Sequence, residues 1–251
     1  MTASEDGRRG EKSTMRGELQ IKKEKHISNR VQQNPSLRLL KETQRDNVRK
    51  YFVEVTQDII DTQGISGASI RQIAKQAGYN SALIYNYFGC LDSLISLALM
   101  KNFREYLTAL AEQIKEDGAP KKNFYIIWEY FFDTCFKSPQ IFYYLFFKYR
   151  REPLCDIVKK YYDLFPEEVK LHSSVVERML KGRDIYERNM NILRPLVEQG
   201  DLPPERLDVV NDIIVSYFKM LLETKCELAE DAEDSALRSK LFDVIDLVLT
   251  A

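Results

Sequence analysis

The chain has 251 residues, of which 44% are hydrophobic and 30% charged, and this composition is typical of a protein that folds around a buried core. Its longest apolar run, residues 124–132, is interrupted by Glu129 and is shorter than the roughly 18 residues that a membrane span needs. The N-terminus has no apolar signal-peptide stretch, so we expect a cytoplasmic protein.

Charge is distributed unevenly along the chain. Residues 1–50 hold 13 Lys and Arg against 7 Asp and Glu, a net charge of +6, whereas the remaining 201 residues carry 24 against 31, a net charge of −7. This asymmetry favours an anionic partner that binds the basic N-terminal region. The alternative is a solvated tail that binds nothing.

The cysteine pattern predicts neither a metal centre nor a disulfide framework. The four cysteines lie far apart without CxxC spacing, and the chain has only two histidines. We therefore expect no metal, no cofactor and four buried or half-buried thiols, at Cys90, Cys135, Cys155 and Cys226.

The first 35 residues are polar, mixed in charge and free of aromatic side chains, so residues 1–35 are predicted to be a disordered extension. From Ser36 almost to the end the apolar spacing is helical, and Gly or Pro marks the breaks. One long helix is predicted from residue 91 to about residue 115. The sequence has no strand-like alternation and no repeat, so the predicted fold class is all-α.

Residues 69–88, SIRQIAKQAGYNSALIYNYF, predict two short helices around a tight turn. Ser69 and Gln72 form the S-x-x-Q pattern of a capping box, which starts a helix. Gly78 can adopt the left-handed conformation that turns the chain. Asn80 is a good N-cap for the second helix, which then begins at Ser81.

The spacing of the apolar residues is that of a helix-turn-helix. Small Ala74 allows a close helix crossing, and Ile84 with Phe88 directs one face of the second helix into a core. The exposed face then carries small and hydrogen-bonding side chains, at a width that fits the major groove. An ordinary helical hairpin inside a core is the alternative that this pattern leaves open.

The longer segment 64–94, GISGASIRQIAKQAGYNSALIYNYFGCLDSL, resembles the N-terminal DNA-binding domain of the tetracycline-repressor (TetR) family. The resemblance implies a three-helix DNA-binding domain at residues 43–104, with its helix-turn-helix motif at 68–87. It further implies a helical ligand-binding and dimerisation domain at residues 105–251. The matching features are Gly64, Ser69, Ile73–Ala74, Ala77–Gly78, Tyr85, Phe88, Asp92 and Leu94.

The resemblance also implies which residues face DNA. Tyr85 would hydrogen-bond a phosphate, Ser81 and Asn86 would reach base edges, and Leu83 would touch a thymine methyl group. The whole implied set is Ser69, Asn80, Ser81, Ala82, Leu83, Tyr85, Asn86 and Tyr87.

Two departures from the family pattern bear on DNA binding. Tyr87 stands where the family often has His, and Leu91 stands where it has a phosphate-contacting Lys. Basic and acidic residues also balance between residues 44 and 100, so phosphate attraction would depend on a few cations near the first helix. Those cations are Arg38, Lys41, Arg45, Arg49 and Lys50.

Residues 121–165 hold 16 of the 28 aromatic residues. Aromatic stripes at helical spacing usually form core, but a mostly apolar pocket with a few polar groups is also the general form of a ligand site. Because central helices form such a pocket in the family, Trp128, Phe132 and Phe147 are candidate ligand contacts. Polar contacts are expected among Glu129, Asp133, Arg150 and Arg151, whereas a lone histidine such as His172 is more often structural.

The last two predicted helices are apolar on more than one face, so each is either internal or in contact with a partner. The family dimerises through its last two helices, which implies a two-fold homodimer. We expect Leu221 and Val244 at the seam.

The sequence contains no Ser/His/Asp set, phosphate-binding loop or carboxylate pair, so we expect no enzyme. The leading hypothesis is a sequence-specific DNA-binding transcriptional regulator, a repressor that a small-molecule ligand releases from a palindromic operator. The alternative is a TetR-fold protein that acts through protein–protein contacts without DNA binding.

Overall fold

The structure, a computed structural model, describes residues 35–114, 118–149, 151–169, 173–227 and 234–250, and in these ranges the regular structure is helical with no strand. The expected all-α class is confirmed. The helices are α1 Pro35–Gln63, α2 Ile70–Ala77, α3 Ser81–Phe88, α4 Leu91–Ala111, α5 Pro120–Lys137, α6 Pro139–Tyr143, α7 Leu154–Leu164, α8 Ser174–Leu180, α9 Ile185–Gln199, α10 Leu207–Glu227 and α11 Asp234–Thr250.

The contacts divide the chain into two units, Met1–Arg49 and Lys50–Ala251. In the first unit, Arg49 pairs with Asp46 one helical turn earlier, with Nη1 to Oδ1 at 3.2 Å. The predicted disordered extension, residues 1–35, lies outside the described residues except for Pro35, where α1 begins.

The second unit contains α2 to α11, and its core is dominated by aromatic rings. Phe131 lies at its centre, with ring centroids 5.2 Å from Phe146 and 5.0 Å from Phe218. Trp128 meets Phe218 at 5.3 Å. These four rings come from α5, from α10 and from the segment that follows α6, so the aromatic cluster joins parts of the chain that are distant in sequence.

A π-helix, Tyr144–Lys148, follows α6 directly. Tyr149 N donates a hydrogen bond of 2.8 Å to Tyr144 O. The two residues are five apart, which is the spacing of a π-helix. The four consecutive residues Tyr144 to Phe147 are all buried. The sequence analysis predicted short helices in this region but not this change of register.

Helix α4 ends at Ala111, earlier than the predicted end near residue 115, and residues 115–117 lie outside the described ranges. It also runs without a break across residues 104 and 105, where the sequence analysis placed a domain boundary. The boundaries 43–104 and 105–251 therefore remain a prediction.

Within the described residues, no single helix is both long enough and apolar enough to cross a membrane. Helices α3 and α4 meet that length and composition only as a pair, and the chain bends by 75° between them.

Candidate nucleic-acid interface and ligand cavity

Local capping interactions build the α2–turn–α3 motif as predicted. The Ser69 Oγ accepts a hydrogen bond from Gln72 N at 3.2 Å, and this bond starts α2. Gly78 ends α2 in the left-handed conformation, with φ 71° and ψ 25°. Asn80 Oδ1 then accepts from Ala82 N at 2.9 Å and starts α3.

The inner faces of the two short helices are fixed by buried side chains. Ile73 on α2 and Ile84 on α3 have no exposed surface, and Phe88 is also buried. The Phe88 ring lies edge-on to Phe52 of α1, with centroids 6.2 Å apart. The orientation of α3 is therefore set by its buried side, which leaves the opposite side for a partner.

The outward face of α3 is formed by Ala82, Tyr85 and Asn86, which are all exposed and lie at helical spacings of three and four residues. Tyr85 is 55% exposed. The remaining members of the predicted set lie around this face. Ser69 and Asn80 are exposed, and Ser81, Leu83 and Tyr87 are half-buried.

Tyr87 is partly turned towards the core. Its ring centroid lies 6.4 Å from that of Phe52 and 6.5 Å from that of Phe88. This packing accounts for an aromatic residue at the position where the family often has His. Tyr79, which the sequence analysis did not select, lies beside the turn and is 42% exposed.

Two of the cations that were expected to attract phosphate already have protein partners. In the second unit, the Lys50 Nζ lies 2.8 Å from Glu167 Oε1 and 5.2 Å from the centroid of the Phe165 ring. In the first unit, Arg49 is paired with Asp46. Arg71 and Lys75 on α2 are exposed, so α2 itself carries cations that the sequence analysis did not assign to DNA.

The three predicted ligand contacts are buried, but they do not share one cavity. Trp128 lines a narrow pocket of about 20 Å³. Phe132 stacks on Phe136 with centroids 3.8 Å apart, and Phe147 lies 6.4 Å from Phe218. Neither of these two phenylalanines lines the pocket of Trp128.

The Trp128 pocket is lined mainly by apolar side chains of α4, α5 and α9, including Tyr106, Ile127 and Ile192. A hydrogen-bond relay closes one side, in which Trp128 Nε1 donates to Asn189 Oδ1 at 2.9 Å. Asn189 Nδ2 in turn donates to Asn211 Oδ1 at 3.0 Å. These buried amides therefore satisfy each other and fix the indole ring.

Arg188 is the polar group of this pocket that the sequence analysis missed. It is only 3% exposed, and its guanidinium carbon lies 4.7 Å from the Phe103 ring centroid and 5.1 Å from that of Phe146. The helical spacing could have indicated its burial, because Arg188 and Asn189 fall on the face of α9 that also carries Ile185 and Ile192.

The polar groups that were expected at a ligand site lie elsewhere. Glu129 and Asp133 are exposed and pair with Arg238. Arg151 is exposed and lies near Asp92, with Nε to Oδ2 at 3.5 Å. Arg150 and His172 lie outside the described residues.

The four cysteines are free, and each is buried or half-buried as expected. Cys135 is fully buried, and this burial raises the pKa of its thiol well above the ordinary value. Across the described ranges, no cluster of three His, Cys, Asp or Glu side chains has the geometry to hold a metal ion.

Comparison with known proteins identifies the helix-turn-helix segment. Residues 53–95 match the family described as bacterial regulatory proteins, tetR family. Over this segment the chain is similar to the tetR family. The match contains the last 11 residues of α1, all of α2 and α3, and the start of α4, so it covers the exposed face of Ala82, Tyr85 and Asn86.

Curated transcriptional regulators match about a third of the chain. The regulator BetI of Stenotrophomonas maltophilia is 33% identical over 70 residues, which are 28% of this chain and 36% of BetI. The regulator PksA of Bacillus subtilis is 35% identical over 84 residues, which are 33% of this chain and 40% of PksA. The chain thus spans less than half the length of these curated relatives.

Solved tetR-family structures share the overall fold. FadR of Thermus thermophilus, in complex with lauroyl-CoA, has a TM-score of 0.50 at 16% identity over 80% of this chain and 93% of that protein. FadR of Bacillus subtilis, in complex with stearoyl-CoA, also has a TM-score of 0.50, at 15% identity over 80% of this chain and 97% of that protein. At such identities the likeness is one of fold.

Proposed function

We propose that the chain is a sequence-specific DNA-binding transcriptional regulator in the cytoplasm, a repressor that a small-molecule ligand releases from its operator. The observation that carries this proposal is the outward face of α3. Ala82, Tyr85 and Asn86 lie on one exposed side of a helix that the capped turn and the buried Ile84 hold in place. A helix presented in this way fits the major groove.

Each side chain of this face has a proposed task. Asn86 reads a base edge, because its amide can both donate to and accept from adenine, and Ser81 reads a neighbouring base. The Tyr85 hydroxyl donates to a phosphate, and Leu83 meets a thymine methyl group. Ser69, Asn80, Ala82 and Tyr87 complete the proposed interface.

We propose a homodimer through α10 and α11, but with a seam that differs from the expected one. Val209, Ile213 and Met220 are 60%, 40% and 46% exposed and lie along one side of α10. Leu247 on α11 is 64% exposed. Leu221, in contrast, is 2% exposed inside the subunit, so it belongs to the core and not to the seam.

Such a two-fold dimer reads a palindromic operator only if its recognition helices are spaced by about one DNA turn, roughly 34–36 Å, or a multiple of it. Helix α4 is the proposed link between ligand and spacing. It begins directly after α3, at Leu91, and its Phe103 faces the Arg188 guanidinium about 18 Å further along the helix axis. A ligand that moves Phe103 therefore acts on the helix that follows α3.

The deciding experiment is selection of binding sites from a random duplex library by the full chain, followed by a mobility shift with the recovered sequence. A regulator of the proposed kind enriches a palindrome and binds it at least about a thousandfold more tightly than random DNA. A matched variant, Asn86→Ala, should lose that preference. If the folded protein enriches no sequence and shifts no duplex, the proposal fails in favour of a tetR-fold protein that acts through protein–protein contacts.

A further inference from the structure

The buried Arg188 carries a positive charge that the described residues do not neutralise. Its Nη2 donates to the sulfur of Met179 at 3.5 Å, but its Nε and Nη1 have no hydrogen-bond partner among the described residues, and both nitrogens are buried. The ion pairs found in these residues include no pair with Arg188. A buried charge without a partner is costly, so pairing with an anion would stabilise Arg188 in this position.

The neighbours of Arg188 do not supply that anion. The rings of Phe103, Phe146 and Phe131 lie 4.7, 5.1 and 5.8 Å from the guanidinium carbon, and they attract a cation but carry no net charge and accept no N–H···O hydrogen bond. The Tyr106 hydroxyl is close, but burial raises its pKa, so it remains neutral. An arginine, in turn, does not lose its proton in proteins.

Gly182 packs closely against Arg188 and leaves no room for a side chain at position 182. Gly182 lies so close that a Cβ on it would be 2.5 Å from the Arg188 backbone nitrogen and 2.6 Å from its Cγ. A larger residue at 182 would therefore displace the arginine. The close packing, together with the aromatic rings, holds the guanidinium at one end of the narrow pocket that Trp128 lines.

The pocket lies between two larger clefts. Ile185 lines both the pocket and a cleft of about 370 Å³, and Phe146 beside Arg188 also lines that cleft. Ile127 and Ile192 line both the pocket and a second cleft of about 210 Å³. The pocket itself admits little more than one water-sized group, so a ligand enters from a cleft by displacing side chains.

We propose that this cavity binds an amphipathic organic anion, whose carboxylate or phosphate head accepts a hydrogen bond from Nε or Nη1 of Arg188 and whose apolar body lies among the rings beside Trp128. A guanidinium N–H and an anionic oxygen form a charge-assisted hydrogen bond, which is about twice as strong as one between neutral groups. The binding itself does not require DNA. Only the role of this anion as the signal rests on the proposed regulator function.

Ligands that share one apolar tail test the charge requirement. Octanoate, octyl phosphate, 1-octanol and octylamine are added to the full chain without DNA, and Trp128 fluorescence and the thermal midpoint Tm are measured. Trp128 is the only tryptophan and lies in the pocket, so its emission reports local binding. We expect one or both anions to change the emission and raise Tm, and the alcohol and the amine to bind at least about tenfold more weakly.

The two anions also distinguish the two possible heads. A preference for octanoate assigns the site to carboxylates, and a preference for octyl phosphate assigns it to phosphate esters. Equal binding of the octyl anions and 1-octanol overturns the proposal, because the charge would then contribute nothing. The same conclusion follows if neither anion changes Tm or Trp128 emission up to millimolar concentration.

Variants then locate the effect at Arg188. Arg188→Met keeps the length of the side chain and removes its charge, so Tm without ligand should stay the same or rise, while anion affinity falls at least about tenfold. Arg183→Met, at an exposed arginine that lines the larger cleft, is the matched control and should bind the anion as the wild type does. If Arg188→Met lowers Tm and retains anion affinity, Arg188 is a structural cation held by its rings, and the proposal is wrong.

The outcome is independent of the proposed regulator function. Ligand binding is measured without DNA, and operator selection is carried out without ligand. A chain that binds the anion but enriches no DNA sequence would retain the anion site and lose the regulator assignment. A chain that binds an operator but no anion would retain the regulator assignment and lose the anion site.

Discussion

Replacing Tyr85 by Phe removes one hydroxyl from the outward face of α3. No described residue hydrogen-bonds that hydroxyl, and the side chain is 55% exposed. The free energy of unfolding should therefore change by less than about 0.5 kcal/mol. Any larger effect of Tyr85→Phe on DNA binding then reports the interface and not the fold.

The expected loss of affinity follows from the charge of the acceptor. A hydrogen bond to a charged group contributes about 1.5–3 kcal/mol, which corresponds to roughly a 10- to 150-fold weaker complex for each half-site. Because a phosphate contact carries no base information, the selected operator and a random duplex should lose the same factor. The hydroxyl is neutral and displaces no counterion, so the salt dependence should keep its slope.

Fluorescence anisotropy of labelled duplexes measures all of these quantities when it is repeated between about 50 and 200 mM salt. Tyr162→Phe, at a half-buried tyrosine on α7, is the control and should leave DNA affinity unchanged. A loss confined to the selected operator would show that Tyr85 reads a base. Unchanged affinity for both duplexes would remove Tyr85 from the interface.

Three further predictions concern α2, the cap of α3 and the exposed side of α10. Lys75→Gln should lower the slope of log affinity against log salt by about one for each half-site, and an unchanged slope would place exposed Lys75 away from phosphate. Asn80→Ala removes the cap on Ala82 N and should cost about 1 kcal/mol in urea unfolding, whereas no change would mean that water replaces the cap. Ile213→Asp with Met220→Asp should give folded monomers in sedimentation, and a folded dimer would place the seam elsewhere.

The helix-turn-helix could be predicted from sequence because its determinants act locally. Ser69 and Asn80 cap the helices that directly follow them, and Gly78 makes the turn between these helices. Each of these interactions spans three residues or fewer along the chain, so the sequence pattern contains almost all the information that fixes the local structure.

The ligand cavity could not be predicted in the same way, because it depends on contacts between distant segments. Phe132 and Phe147 belong to the same aromatic-rich segment as Trp128, but only the tertiary packing decides that Trp128 lines the pocket. Arg188 meets rings from residues 103, 131 and 146, which no local pattern relates to it. Likewise, burial separates Leu221 in the core from Met220 on the surface, although the two are adjacent in sequence.

The π-helix at Tyr144–Lys148 has a consequence for how the chain can be shortened or lengthened. The π-helix is the end of the helix that begins at Pro139, because the chain is extended at Tyr149. Deleting Leu145 would therefore move Phe146 by about 100° around the axis of this helix. Phe146 would then leave the guanidinium face of Arg188, with which it now shares the wall between pocket and cleft. A single-residue deletion at this point would thus alter the cavity wall while the number of aromatic residues stayed the same.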